Sequence, residues 1–76
     1  MNKNRRMRLK KALDIIEEGK IIIEDCLNEE QDGFDNLTEG LQATERGERM
    51  EECISQMEEA LEHIDDALDL INDTAY

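Results

Sequence analysis

The sequence predicts an all-α protein, in which two long helices pack as an antiparallel, coiled-coil-like hairpin. Apolar residues recur at spacings of three and four over two long segments. The composition is 39% charged and 3% aromatic, with no proline, which is typical of solvated helices rather than of a β-sandwich or barrel. The 76 residues suffice for one small domain, which we place at residues 1–76.

The apolar pattern places the first helix at residues 5–31 and the second at residues 45–74. The first pattern contains Leu9, Ala12, Leu13, Ile16, Gly19, Ile23, Cys26 and Leu27. The second contains Met50, Cys53, Ile54, Met57, Ala60, Leu61, Ile64, Ala67, Leu68 and Ile71. Asp32-Gly33 is typical of a helix C-cap, and Thr44 of an N-cap. We therefore expect residues 32–44 to connect the helices, with one short turn inside the connection.

Small residues occupy one heptad position throughout both helices. They are Ala12, Gly19 and Cys26 in the first helix and Cys53, Ala60 and Ala67 in the second. Because small side chains let two backbones approach closely, we predict that these six residues form the seam between the helices. Gly19 favours this interpretation, since a glycine inside a helix costs about 1 kcal/mol and needs a packing reason. The alternative is that alanine is present only as a good helix former.

The apolar surface of the first helix is wider than one partner helix covers. Ile15 and Ile22 flank the main stripe, beside Ile16 and Ile23. Two helices of this length rarely reach useful stability without disulfides, metals or partners. We therefore predict a homo-oligomer, most simply a dimer that forms a four-helix bundle with these four isoleucines at its interface.

Charge is distributed unevenly along the chain. Residues 1–13 contain six Lys or Arg and no acid, whereas residues 14–76 contain three bases and all 21 acids, a net charge of −18. An antiparallel hairpin places the basic segment beside the acidic end of the second helix, so we expect ion pairs there or a frayed end. The acids concerned are Asp65, Asp66, Asp69 and Asp73. The alternative is contact with nucleic acid, which we do not expect because the acidic remainder repels phosphate.

The acidic remainder itself has two interpretations. Acids on outward helix positions usually form only a solvated face. An acidic helical protein can also imitate the phosphate rows of a duplex and occupy the basic groove of a DNA-binding enzyme, which it then inhibits. We retain this nucleic-acid mimic as the alternative function.

No pattern in the sequence indicates an enzyme, a cofactor or a metal site. A Ser/His/Asp set, a glycine-rich phosphate loop and a Cys-x-x-Cys pair are all missing. Residues 28–39 place several oxygen ligands at calcium-loop spacing around Gly33, but Asn28 stands where such a loop needs Asp. His63 with Glu59 is a second metal alternative, for zinc. We predict neither site.

The N-terminal segment predicts a cytoplasmic protein. It is basic but lacks the apolar stretch and the cleavage site of a signal peptide. The longest apolar run is Ile21-Ile22-Ile23, far below the roughly 20 residues that a transmembrane helix needs. In a reducing cytoplasm we expect Cys26 and Cys53 to be buried thiols rather than a disulfide.

The connection also carries a resemblance. Residues 29–48 contain Phe34-Asp35-Asn36, Leu41-Gln42 and Thr44-Glu45-Arg46. With these motifs the chain resembles a group of small two-helix proteins of Gram-positive bacteria and their prophages, over most of its length. The resemblance implies a helical fold and a mobile-element origin, but no activity.

Three apolar residues stand out in the connection. We predict that Phe34, Leu37 and Leu41 plug the end of the bundle, and the alternative is a partner-binding tip. The leading function is therefore a non-enzymatic interaction protein, with itself and a protein of unknown identity as partners and no membrane contact.

Overall fold

The computed structural model describes residues 1–75. Over this range the prediction of an all-α protein is confirmed, and no strand occurs. Helix α1 spans Lys3–Asp35, the short helix α2 spans Glu39–Gln42, and α3 spans Glu45–Thr74. The architecture is thus a pair of long helices with a short one between them.

Each helix begins after a residue whose side chain caps it. The capping oxygens belong to Asn2, Thr38 and Thr44. Each accepts the backbone N–H of the third residue after it, at 2.8, 3.3 and 3.4 Å respectively. Asn and Thr are favoured at this position because the side-chain oxygen satisfies a donor that has no partner within the helix. The predicted N-cap at Thr44 is confirmed, and Asn2 makes α1 begin two residues earlier than predicted.

The predicted end of the first helix is wrong. Gly33 lies inside α1, which continues to Asp35, and the N–H of Asn36 donates to the Asp32 carbonyl at 3.1 Å. A glycine ends a helix by adopting a positive φ, and no glycine in residues 1–75 does so. The role of Gly33 is steric instead, because a Cβ there would lie 3.3 Å from Cε of Met50.

Helices α1 and α3 pack through one stripe of residues on each helix, spaced by three and four. In α1 the stripe consists of Leu9, Leu13, Ile16, Lys20, Ile23, Leu27, Glu30 and Phe34. In α3 and its C-cap it consists of Gly47, Met50, Ile54, Met57, Leu61, Ile64, Leu68, Ile71 and Ala75. We call these two stripes the seam. Its buried hydrophobic side chains are those of Ile54, Leu68 and Ala75.

The prediction that small residues form this seam is wrong for the single chain. The exposed members of the predicted set are Cys26, Ala60 and Ala67, and the half-buried members are Ala12, Gly19 and Cys53. Apart from its two chain neighbours and the nearby backbone of its own helix, no heavy atom of the described residues lies within 4 Å of the point where a Cβ on Gly19 would stand. The large side chains at the neighbouring heptad position face the partner helix instead, because they remove more apolar surface from water.

The helix pair is long and thin. Its Cα atoms extend over 58 × 15 × 13 Å, with a radius of gyration of 17.2 Å. A compact chain of this length would have a radius of gyration of about 11 Å. The packed row of side chains is therefore one layer deep.

Gly47 is the glycine that this fold needs most. It is buried where α2 meets the start of α3, and a Cβ on it would lie 2.6 Å from the carbonyl carbon of Gln42. We expect Gly47→Ala to lower the free energy of unfolding by about 1 to 3 kcal/mol through overpacking.

Gly40→Ala is the matched control, since Gly40 is helical and exposed and has open space around its Cα. This variant should be stabilised, by up to about 1 kcal/mol. Urea unfolding midpoints of both variants measure the difference. A Gly47→Ala variant as stable as Gly40→Ala would contradict the close approach of α2 to α3.

Candidate interaction surface

Two of the three residues predicted to plug the bundle end are partly covered. Phe34 and Leu37 are half-buried, whereas Leu41 is exposed on α2. The side chain of Gln42 reaches back from the end of α2, and its Nε2 donates to the Phe34 carbonyl at 3.1 Å. The prediction is wrong for Leu41, because the one-turn helix α2 directs this side chain outward.

One ion pair joins α1 to α3 within residues 1–75. Nζ of Lys20 lies 2.7 Å from Oδ1 of Asp65. Lys20 occupies a seam position on α1 and is half-buried, while Asp65 is exposed. The hydrogen bond with the Asp65 carboxylate raises the pKa of Lys20 above its ordinary value, and the charges of Asp65, Glu24 and Glu17 add to this effect.

The basic segment does not form the predicted ion pairs. Asp65 pairs with Lys20, and within residues 1–75 no cation of residues 3–11 lies in an ion pair. The segment is not frayed either, because α1 begins at Lys3. The six cations are exposed. Arg6 and Lys10 line a groove with Asn72 at the end of α3, where the helix dipole favours positive charge without a direct contact.

The predicted oligomer interface divides into two pairs of residues. Ile16 and Ile23 are half-buried in the seam. Ile15 and Ile22 remain exposed, with 58% and 64% of their surface accessible. The second pair therefore exposes more of its surface to solvent than the first.

Beside the seam, each helix carries a stripe with no Asp, Glu, Lys or Arg. In α1 it consists of Ala12, Ile15, Gly19, Ile22 and Cys26. In α3 it consists of Cys53, Gln56, Ala60, His63, Ala67 and Leu70. We call these the neutral stripes. All six residues predicted for the seam lie in them, together with Ile15 and Ile22.

The acids concentrate on the other side of the seam. Asp14 and Glu17 of α1 line one groove together with Asp69 of α3, so both helices contribute acids to the same side. Helix periodicity adds further acids to it. The full set, which we call the acidic stripes, is Asp14, Glu17 and Glu24 in α1 and Glu51, Glu58, Glu62, Asp65 and Asp69 in α3.

The two metal alternatives find little support in the geometry. Residues 28–35 are helical and so do not form a calcium loop. Nε2 of His63 lies 3.7 Å from Oε1 of Glu59, and both side chains are exposed. Within the described residues no three His, Cys, Asp or Glu side chains converge as metal ligands.

The two cysteines are not joined in a disulfide. Cys53 is half-buried and Cys26 is exposed. The prediction of a buried thiol is therefore wrong for Cys26, which lies in a neutral stripe rather than in the seam.

No protein family model, curated protein or solved structure matches this chain. The resemblance to small prophage proteins stays a prediction. None of the helices in residues 1–75 combines the length and the apolarity that crossing a bilayer requires.

The Lys20–Asp65 pair predicts a specific pH dependence. A lysine whose pKa is raised in the folded state stabilises the fold at every pH below its unfolded pKa, near 10.5. This contribution is lost as the pH rises through the higher folded pKa. We expect Lys20→Met to have a lower Tm than the wild type at neutral pH, and the gap to close as the pH rises through the folded pKa of Lys20.

Lys11→Met is the control for this measurement, because Lys11 is exposed and lies in no ion pair within residues 1–75. Its Tm should follow that of the wild type across the same pH range. A gap for Lys20→Met that persists at alkaline pH would show that loss of the lysine's packing, rather than of its charge, lowers the stability.

Proposed function

We propose that this protein is a non-enzymatic interaction module of the cytoplasm, an antiparallel helical hairpin that self-associates and binds a further protein. The observation that carries the proposal is the apolar surface that the chain leaves uncovered. Ile15, Ile22 and Leu70 are 58%, 64% and 68% exposed, whereas Ile54 and Leu68 are the large hydrophobic side chains that are buried within residues 1–75. Apolar surface of this extent usually marks an interaction site.

Three contacts support the antiparallel arrangement. Gly33 approaches Met50, Lys20 pairs with Asp65, and Arg6 shares a groove with Asn72. Positions later in α1 thus meet positions earlier in α3. A prophage or other mobile-element origin is part of the proposal and rests on the resemblance of residues 29–48 alone.

Sedimentation at micromolar concentration tests self-association. We expect a species of at least two chains, and we expect added salt to strengthen it. Each chain carries a net charge of −12, so two copies repel one another, and salt screens this repulsion over about 10 Å at 0.1 M.

The salt dependence separates two modes of assembly. If the basic segment of one chain binds the acidic stripes of another, association should weaken as salt is added. A monomer at all concentrations and salt conditions would overturn the proposal.

The acidic stripes favour a second function, inhibition of a DNA-binding enzyme by imitation of its substrate. Acids from α1 and α3 line the two sides of one groove, and two rows of negative charge are what a basic DNA-binding cleft attracts. A partner with such a cleft should release a labelled duplex when this protein is added.

The variant Glu51→Gln, Glu58→Gln, Glu62→Gln replaces three negative side chains of the acidic stripes by neutral ones and should lose this competition. A matched variant with three glutamates outside the acidic stripes replaced, at Glu18, Glu52 and Glu59, has the same net charge and should retain it. Equal loss in both variants would indicate that only net charge matters, which argues against imitation of a duplex.

A further inference from the structure

The neutral stripes of the two long helices share one face of the proposed hairpin. Viewed from the N-terminus of its own helix, each neutral stripe is rotated from the seam by about 100° in the same sense. In an antiparallel pair related by a twofold axis, stripes that are rotated in the same sense from the seam lie on the same face of the pair. The groove between Asp14, Glu17 and Asp69 agrees with this geometry, because it places the opposite sides of both helices together on the acidic face.

The charges of the chain restrict what can cover this neutral face. The acidic stripes of a second copy would repel those of the first across any other face, since each chain has a net charge of −12. None of the residues that form the two neutral stripes, from Ala12 to Cys26 in α1 and from Cys53 to Leu70 in α3, is an acid. A second copy can therefore lie on this face with all the acidic stripes directed away from the contact.

The chain exposes more surface than a compact monomer of its mass, and the excess is similar to the area that a dimer interface buries on each partner. A compact monomer of this mass exposes about 4,800 Å². This chain exposes 5895 Å², an excess of about 1,100 Å² over that scaling. Stable protein interfaces bury about 800 Å² on each partner. Covering the neutral face with one more chain would thus bring the exposed area close to that of an ordinary folded protein.

The shape of the face also suits a second copy. Exposed Ile15 and Ile22 alternate with Gly19, which has open space beyond its Cα. Small Ala60 and Ala67 lie on α3 of the same face. In a twofold interface each patch meets its own copy, so large side chains of one chain can enter the gaps beside the small residues of the other. Gly19 thereby finds in the dimer the packing role that it lacks in the single chain.

From these observations we infer that two copies of this chain pack neutral face against neutral face as a twofold-symmetric four-helix bundle, with the acidic faces outside. The inference rests on the proposed function in that it requires self-association, and it adds the surface that mediates it. The neutral stripes, rather than Ile16 and Ile23, form the interface.

The test uses two adjacent isoleucines of α1, which lie about 100° apart around the helix axis and so on different sides of the helix pair. Ile22 lies in the neutral stripe and is 64% exposed, whereas Ile21 is 55% exposed and lies on the acidic side. Ile22→Asp should raise the dissociation constant of the dimer at least about 100-fold, because the twofold axis would bury two unpaired carboxylates. Ile21→Asp introduces the same charge in the same helical turn and should raise the constant much less.

A second pair of variants tests the contribution of α3. Ala60→Asp on the neutral stripe should also dissociate the dimer, while Ser55→Asp on the acidic side should not. Sedimentation gives the dissociation constants, and circular dichroism shows whether each variant keeps its helices. Since all four positions are exposed in the single chain, no variant removes a buried side chain of the seam. A loss of helicity confined to Ile22→Asp and Ala60→Asp would therefore follow from dissociation, because the two control variants introduce the same residue.

The outcomes distinguish the inference from the proposed function. A wild-type monomer at every concentration overturns both. A wild-type oligomer that Ile22→Asp and Ala60→Asp leave intact overturns the inference alone, because assembly then uses another face. An oligomer that Ile21→Asp dissociates as strongly as Ile22→Asp also overturns the inference, since charge rather than location would explain the effect.

The thiol of Cys26 supplies a readout that does not depend on an introduced charge. Cys26 lies on the neutral face and is exposed in the single chain. In a Cys53→Ala background, whose own dissociation constant is first measured by sedimentation because Cys53 lies in the neutral stripe, the reaction of Cys26 with a thiol reagent should slow as the protein concentration rises through that constant. A rate that does not change with concentration, although the protein dimerises, would overturn the inference.

Discussion

A single row of large side chains from each long helix holds α1 against α3, and the rest of the structure depends on how narrow that row is. In a pair of helices each residue has only one neighbouring helix to cover it, so most seam residues remain partly exposed to solvent. Ile54 and Leu68 are the large side chains that become buried, and both lie on α3. The apolar residues that find no place in the row remain at the surface, and the proposed self-association is based on this exposed surface.

Charge divides the surface that the seam leaves open. The acids that α1 and α3 contribute to one groove make that side repel any second copy of the chain. Lys20 offsets part of this charge where it reaches Asp65, and it does so from a seam position, so its stem also covers apolar surface. The opposite side has no acid to repel a neighbour. The proposed self-association uses this side of the helix pair.

The connection shows how short-range chemistry fixes the register of the pair. Thr38 and Thr44 cap α2 and α3, and Gln42 bonds the last turn of α1. Gly47 then lets the backbone of α2 lie directly against α3. The hydrogen bond from Gln42 to Phe34 and the absence of a side chain at Gly47 together hold the start of α3 near the end of α1. The seam begins at this point.

The amino-acid sequence by itself determined the helices, because the 3.6-residue periodicity and the capping residues are properties of neighbouring positions. Helix α3 has the predicted bounds Glu45–Thr74 for this reason. The sequence did not decide which stripe faces the partner helix, since two adjacent stripes of α1 are both apolar. Only the tertiary structure shows that the larger side chains take the seam while Gly19 stays open. It likewise shows Gly33 beside Met50 and Lys20 beside Asp65, since both contacts join residues distant in the chain.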